Sequence, residues 1–275
     1  MESHVHARGL FSIAIKVIIL MREKRKDFWQ VSVFSLLVII NFLFFSSFRA
    51  ADPDLWGHVK FGEDIWRSKS IPRLDHYSYT ADNMPWVNHE WAAEVFFYLI
   101  YSRLGPEGLV LFKTAVGLLL ALVLWQTARI RARSLSLTGP VFLVISSSVI
   151  AFGFAIRPQI FTYLFFALFL YLLYLFRYTG KRHIFFIPLI TVLWVNSHGG
   201  FLAGIGLLAI YTAAETLGRM SFFKQRFEQP LEFKKLKTLY AVFFLSLCAT
   251  LFNPYRLGIW HFLSQTLSRG RPYIW

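Results

Sequence analysis

The sequence predicts an all-α polytopic membrane bundle of about seven transmembrane helices, with a large first extracytoplasmic loop that contains interfacial helices. Three observations lead there. Hydrophobic residues make up 56% of the 275, mean hydropathy is +0.50 and only 16% of residues are charged, against about a quarter in a soluble domain. Apolar runs of near-spanning length recur along the chain, and a helix needs about 20 residues to cross the hydrocarbon core. Between those runs the Lys and Arg sit in short blocks, and such blocks orient spans by staying cytoplasmic.

Residues 1–27 read as a cytoplasmic or interfacial N-terminal segment, and 28–275 as one transmembrane module. The apolar run 10–20 is too short to span and is broken by Lys16, so it is an interfacial helix or a leader upstream of a start at Met21. No small-residue cleavage site follows it, which argues against a cleaved signal peptide. Arg22, Lys24, Arg25 and Lys26 then hold the N-terminus inside. Spans follow at 28–48, 108–127, 136–155, 160–176, 184–196, 201–217 and 238–252. With the first basic block inside, the blocks at 129–133, 177–182 and 219–237 all fall on the cytoplasmic face. The loop 49–91, with seven carboxylates against five Lys and Arg, falls outside. Residues 92–101 are too short to span, and Glu94 favours a helix lying along the surface or dipping into it.

No internal repeat or low-complexity linker divides the chain, so one domain is expected. The single Cys248 lies in an apolar run and allows no disulfide framework within one chain; it reads as a small core residue. A net charge of +14 raises nucleic acid as a partner, but the cations are not gathered with exposed aromatics into a basic surface, and the membrane reading prevails. Membrane lipids are the partner it implies.

Every unusual polar cluster then lands on the outer side: Asp52 and Asp54, Asn88-His89-Glu90, Arg157, Asn196-Ser-His198-Gly-Gly, and Asn253. Polar groups at membrane depth are costly, so their collection at one level is a site hypothesis, set against the plain fact that loops are polar. Asp52-Pro-Asp54 suits a helix start, with Asp52 as cap and Pro53 in the first turn. On such a helix Asp54 and His58 share a face at i and i+4, close enough to share a proton or a metal. His89 and Glu90 sit between Trp86 and Trp91, an interfacial setting in which Glu90 is an acid, a ligand or a helix-capping carboxylate. Arg157, beside Pro158, offers a planar fork to a phosphate, or else snorkels among lipid headgroups. The two glycines after His198 let backbone approach a ligand to which His198 donates, or else let helices pack tightly.

These clusters, in this order, resemble the GT-C superfamily of membrane glycosyltransferases, which includes protein O-mannosyltransferases, aminoarabinose transferases of lipid A and oligosaccharyltransferase catalytic subunits. The matching residues are Asp52-Pro-Asp54-Leu-Trp-Gly-His58, Ile71-Pro-Arg-Leu-Asp75-His-Tyr-Ser, Trp86-Val-Asn-His89-Glu90-Trp91, Arg157-Pro158 and Asn196-Ser-His198-Gly-Gly, and they look like the motifs of a bacterial branch. The similarity runs over nearly the whole chain. Members usually continue past a seventh span, so a sequence ending at Trp275 reads as a fragment or a reduced module.

The resemblance implies an inverting transfer of a sugar from a polyprenyl-phosphate donor to a glycan, lipid or protein acceptor at the extracytoplasmic face. It implies Asp54 as base with Asp52 as its partner, and Arg157 and His198 as phosphate contacts, with His89, Glu90 and His58 in the substrate site. A divalent metal at Asp52, Asp54 and His58 is one way for two such close carboxylates to coexist. A multi-pass transporter or flippase of lipid-linked substrates is the rival from another class, and a non-catalytic membrane module is the third. Transporters place ionisable residues at the midplane on broken helices and often show repeated halves, neither of which is visible in the sequence.

Overall fold

The computed structural model describes residues 39–46, 52–131, 154–220 and 230–268, with scattered positions between 32 and 36. Regular structure among them is helical throughout; a lone antiparallel bridge between Leu74 and Pro85 is all the β pairing present. The 10–20 run, the 21–27 block, all but the last two residues of the expected span 136–155 and the end 271–275 lie outside the described residues.

Residues 39–46 are helical, inside the first expected span. Helix α1 (Leu55–Ser68) follows from an amphipathic pattern that buries Leu55, Val59, Gly62 and Ile65 on one face. Its entry is a turn built by Asp52, whose carboxylate accepts the Asp54 N–H at 3.0 Å and whose carbonyl accepts that of Leu55. Gly62 is required by packing: a Cβ there would fall on the backbone carbonyl of Glu94. Lys69, left-handed at φ 55, ends the helix.

Helix α2 (Trp91–Arg131) is two helices joined at a kink. Gly105 has φ 65 and ψ −164, a conformation that favours glycine, and Pro106 starts the second piece. The break agrees with the expected division between 92–101 and the span from 108. The placement of Glu94 does not, because Glu94 is only 2% exposed. The close crossing of α1 at Gly62 covers it, and the first piece of α2 is packed rather than laid on a surface.

Helix α3 (Gln159–Thr179) stands between two hydrophobic cores. One gathers Phe45, Leu55, Phe97, Val116 and Phe154 against Ile160 and Leu164; the other gathers Trp194, Phe201, Leu208 and Leu239 against Phe169 and Leu173. A 3-10 turn (Arg182–Phe185) leads to α4 (Phe186–Val195), α5 (Phe201–Leu217), α6 (Phe233–Ala249) and α7 (Gly258–Ser268). Gly204 lets Trp194 lie against α5.

Two stretches, Trp91–Ile130 and Gln159–Thr179, are long and apolar enough to cross a membrane. The expected spans 184–196, 201–217 and 238–252 are present as helices, but α4 has 10 residues and α5 and α6 have 17 each. Helix length among the described residues thus gives two candidate crossings, while the expected span 136–155 falls almost wholly, and 28–48 partly, outside those residues. Polar turns beginning at Asn196 and Thr250 end α4 and α6.

Candidate functional site

The segments before α1, α2, α3 and α5 meet at one end of the bundle, and Asn196 ties three of the neighbouring elements together. Its side-chain NH2 donates to the carbonyls of Val192 and Phe252, each at 2.8 Å, and its side-chain oxygen accepts the Trp91 indole N–H at 2.9 Å. The Asn88 N–H donates to the Tyr255 hydroxyl at 2.9 Å, and Tyr255 in turn lies under the Arg73 guanidinium. Asn253 shapes that turn by accepting the Tyr255 N–H.

A pocket of about 460 Å³ opens here, and Asp54, His58, Glu90, Arg157 and His198 all line it, with Gly57, Phe61 and Gln159 between them. Five of the seven residues singled out in the sequence therefore share one cavity. The other two stand behind it: Asp52 holds Arg157, and His89 lies 3.7 Å from the Glu90 carboxylate with its ring against Phe262.

Arg157 joins the first acidic motif to the start of α3. Its Nε is 2.7 Å from Asp52 Oδ1 and its Nη2 is 2.9 Å from Asp54 Oδ2. The guanidinium thus faces protein carboxylates at the pocket wall, and its remaining donors are available to a ligand. Asp54 keeps 61% of its side chain exposed, while Asp52 is mostly covered.

His58 does not pair with Asp54, as helical spacing allowed; its Nδ1 lies 3.2 Å from Glu94 Oε1. The other Glu94 oxygen accepts the Asn88 side-chain N–H at 2.5 Å. Asp52, Asp54 and His58 accordingly do not fit a shared metal: Arg157 neutralises the first two, and the third turns to Glu94. Burial lowers the His58 pKa, but the bond to Glu94 and the nearby carboxylates outweigh it and leave the group raised.

His198 has a defined tautomer. The Gly200 N–H, which can only donate, points at Nδ1 from 2.9 Å, so Nδ1 is an acceptor and Nε2 carries the proton. Thr162 Oγ1, itself receiving the Trp194 indole N–H, approaches the same Nδ1 at 2.9 Å. Nε2–H faces Glu90 at 3.5 Å. Burial takes the His198 pKa down to about 4, with His89 and His58 adding repulsion, so the ring stays a neutral donor. Burial also lowers His89 and pushes Glu90 up to about 7, His58 and Arg157 partly offsetting the latter. Gly199 and Gly200 serve packing: a Cβ on the first would crowd Leu263, and on the second would meet the Thr162 side chain.

Sequence reasoning missed Glu94, Thr162 and Trp194 as parts of this site. No family model, curated protein or solved structure matches the chain.

Proposed function

We propose that the chain is a multi-pass membrane protein whose pocket, on the extracytoplasmic side, transfers a sugar from a polyprenyl-phosphate donor to an envelope acceptor. The observation that carries this reading is the convergence of Asp54, Arg157, His198 and Glu90 from four separate segments on one cavity. A carboxylate at the mouth, a guanidinium and a neutral imidazole donor are the groups that such a transfer needs.

In the proposed reaction Asp54 takes the proton of the acceptor hydroxyl as its oxygen bonds to the anomeric carbon. The bond from that carbon to the phosphate oxygen breaks, and the lipid phosphate leaves as an anion held by Arg157 and by His198 Nε2–H. A single displacement of this kind inverts the anomeric centre, and the stable anion needs no protonating acid. A bound phosphate also competes with Asp54 for Arg157, so donor binding frees the base. Asp52, on the guanidinium Nε, keeps the fork in place meanwhile.

The same geometry supports the sidedness. Arg157 and Arg177 are separated by about 30 Å of α3 at 1.5 Å per residue, the thickness of the hydrocarbon core. The basic clusters around Arg177 and Arg219 thus lie at the end away from the pocket, as cytoplasmic blocks do. Ionisable groups gathered at helix ends also suit an enzyme better than a transporter, whose ionisable groups sit at the midplane.

Two measurements test the reading. Asp54→Asn keeps size and polarity but cannot accept the proton, so transfer of sugar to the envelope acceptor falls at least about 100-fold in a normally inserted protein. Near-normal transfer by Asp54→Asn, with loss in Asp52→Asn, reverses the assignment within the pair. For sidedness, cysteines at exposed Thr80 and Lys181 should label differently in intact cells, the first readily with an impermeant thiol reagent and the second only after permeabilisation. Equal labelling sinks the topology.

A further inference from the structure

The floor of the pocket is built differently from its mouth. Oxygens of Glu90 and Glu94 and a ring nitrogen of His58 all lie within 4.8 Å of one another. The three residues come from two elements locked together by the Gly62 crossing, so their approach is fixed by packing. Glu94 is held from behind by Asn88, the kind of outer support that orients a ligating carboxylate. Among the described residues no hydrogen-bond donor reaches the Glu90 carboxylate; His198 and His89 stand at 3.5 and 3.7 Å. A mostly buried carboxylate beside a second carboxylate, without a donor, is an arrangement that a cation relieves.

We propose that His58, Glu90 and Glu94 hold one divalent transition-metal cation at the floor of the pocket. Two carboxylate oxygens with one imidazole nitrogen suit Mn²⁺ or Zn²⁺, whereas Ca²⁺ takes six to eight oxygens and Mg²⁺ keeps mostly water and oxygen. Ligands of a tetrahedral ion are about 3.4 Å apart. The His58–Glu94 pair is already at 3.2 Å, so closure falls to the Glu90 side chain, whose oxygen lies within 4.8 Å of both. His58 and Glu90 line the cavity, so coordination positions opposite Glu94 open into it. Resting on the transfer reading above, those positions meet a phosphate oxygen of the donor; cation binding itself does not depend on that reading.

The test is Mn²⁺ binding to the full chain in lipid nanodiscs, followed by electron paramagnetic resonance with no sugar donor present and with Zn²⁺ as competitor. The expected result is one Mn²⁺ per chain, displaced by Zn²⁺, with affinity at least tenfold weaker in Glu90→Gln and in His58→Asn and unchanged in the loop control Asp82→Asn. Glu94→Gln disturbs the Asn88 and His58 contacts and risks misfolding, so Glu90→Gln is the deciding variant. Absence of a stoichiometric Mn²⁺, or wild-type affinity in Glu90→Gln, overturns the proposal. Because no donor is present, an inactive transferase that still binds Mn²⁺ through Glu90 overturns the transfer reading and leaves the cation site standing.

Discussion

Two clusters of charge occupy opposite ends of α3, and they use the same residue types in opposite ways. At the C-terminal end Glu215, 8% exposed, receives Arg177 Nη1 on one oxygen and the Leu231 N–H at 3.0 Å on the other, while Arg219 donates to the Leu231 carbonyl at 2.6 Å. Both carboxylate oxygens are used, and the cluster clasps α3, α5 and the entry to α6. At the N-terminal end Arg157 meets two carboxylates with donors to spare, the Glu90 carboxylate accepts no hydrogen bond among the described residues, and a 460 Å³ cavity separates the groups. The comparison separates a structural role from a chemical one: a satisfied cluster fixes helices, and one left open has capacity for a ligand.

The sharpest way to break that comparison is to truncate one carboxylate at each end. Glu215→Ala removes the buried carboxylate that receives Arg177 and the Leu231 N–H together and should cost about 3–5 kcal/mol of stability. Glu90→Gln should stay within about 1 kcal/mol, because the carboxylate it removes has no hydrogen bond to lose. Thermal unfolding in detergent checks both. Glu90→Gln more destabilised than Glu215→Ala would make the pocket the structural clasp.

Most of the open end is legible in the sequence because its residues border apolar runs, and helices that stack bring their ends together. Asp54, Glu90, Arg157 and His198 could be collected on one side from the alternation of basic blocks alone. Glu94 could not. It sits in an apolar stretch where periodicity assigns it a polar outer face, and its burial depends on Gly62, 32 positions earlier, crossing its backbone. The direction of His58 failed for the same reason: spacing places Asp54 and Glu94 as rivals for the ring only after the tertiary crossing is known. The later helices lie close to where the apolar runs place them, with the turns at Asn196 and Thr250 setting the C-terminal ends of α4 and α6.

A smaller effect sharpens the contrast between the two arginines. Arg157→Lys keeps the charge and loses the fork, so binding of a polyprenyl-phosphate sugar should weaken about tenfold, or about 1.4 kcal/mol. Arg177→Lys should lower the unfolding temperature through its poorer fit to Glu215 and leave donor binding unchanged. Donor titration of the purified variants decides the matter. Equal affinity in wild type, Arg157→Lys and Arg157→Ala would make Arg157 an interface anchor and leave His198 as the phosphate contact.

The smallest effect is a pH slope at the open end, measured with chelator present. Glu90 is raised to about 7 in the folded state, so the folded protein binds more protons than the unfolded one between about pH 4.5 and 7, and its stability falls as pH rises through that window. His58, also raised, adds to the fall above about pH 6.5. His198, lowered to about 4, and His89, lowered as well, act the other way: the unfolded state takes up their protons first, so stability is lost as pH falls below about 6.5. Between pH 4.5 and 6.5 Glu90 opposes the two lowered histidines, so removing either side changes the slope in a defined direction. Glu90→Gln should gain stability with rising pH more steeply than wild type, and His198→Gln less steeply, each slope differing from wild type by no more than about 1.4 kcal/mol per pH unit. A shift of the slope in the same direction in both variants would mean that these groups do not hold opposite protonation in the pocket. The open end would then be as closed to exchange with solvent as the clasp at the far end of α3.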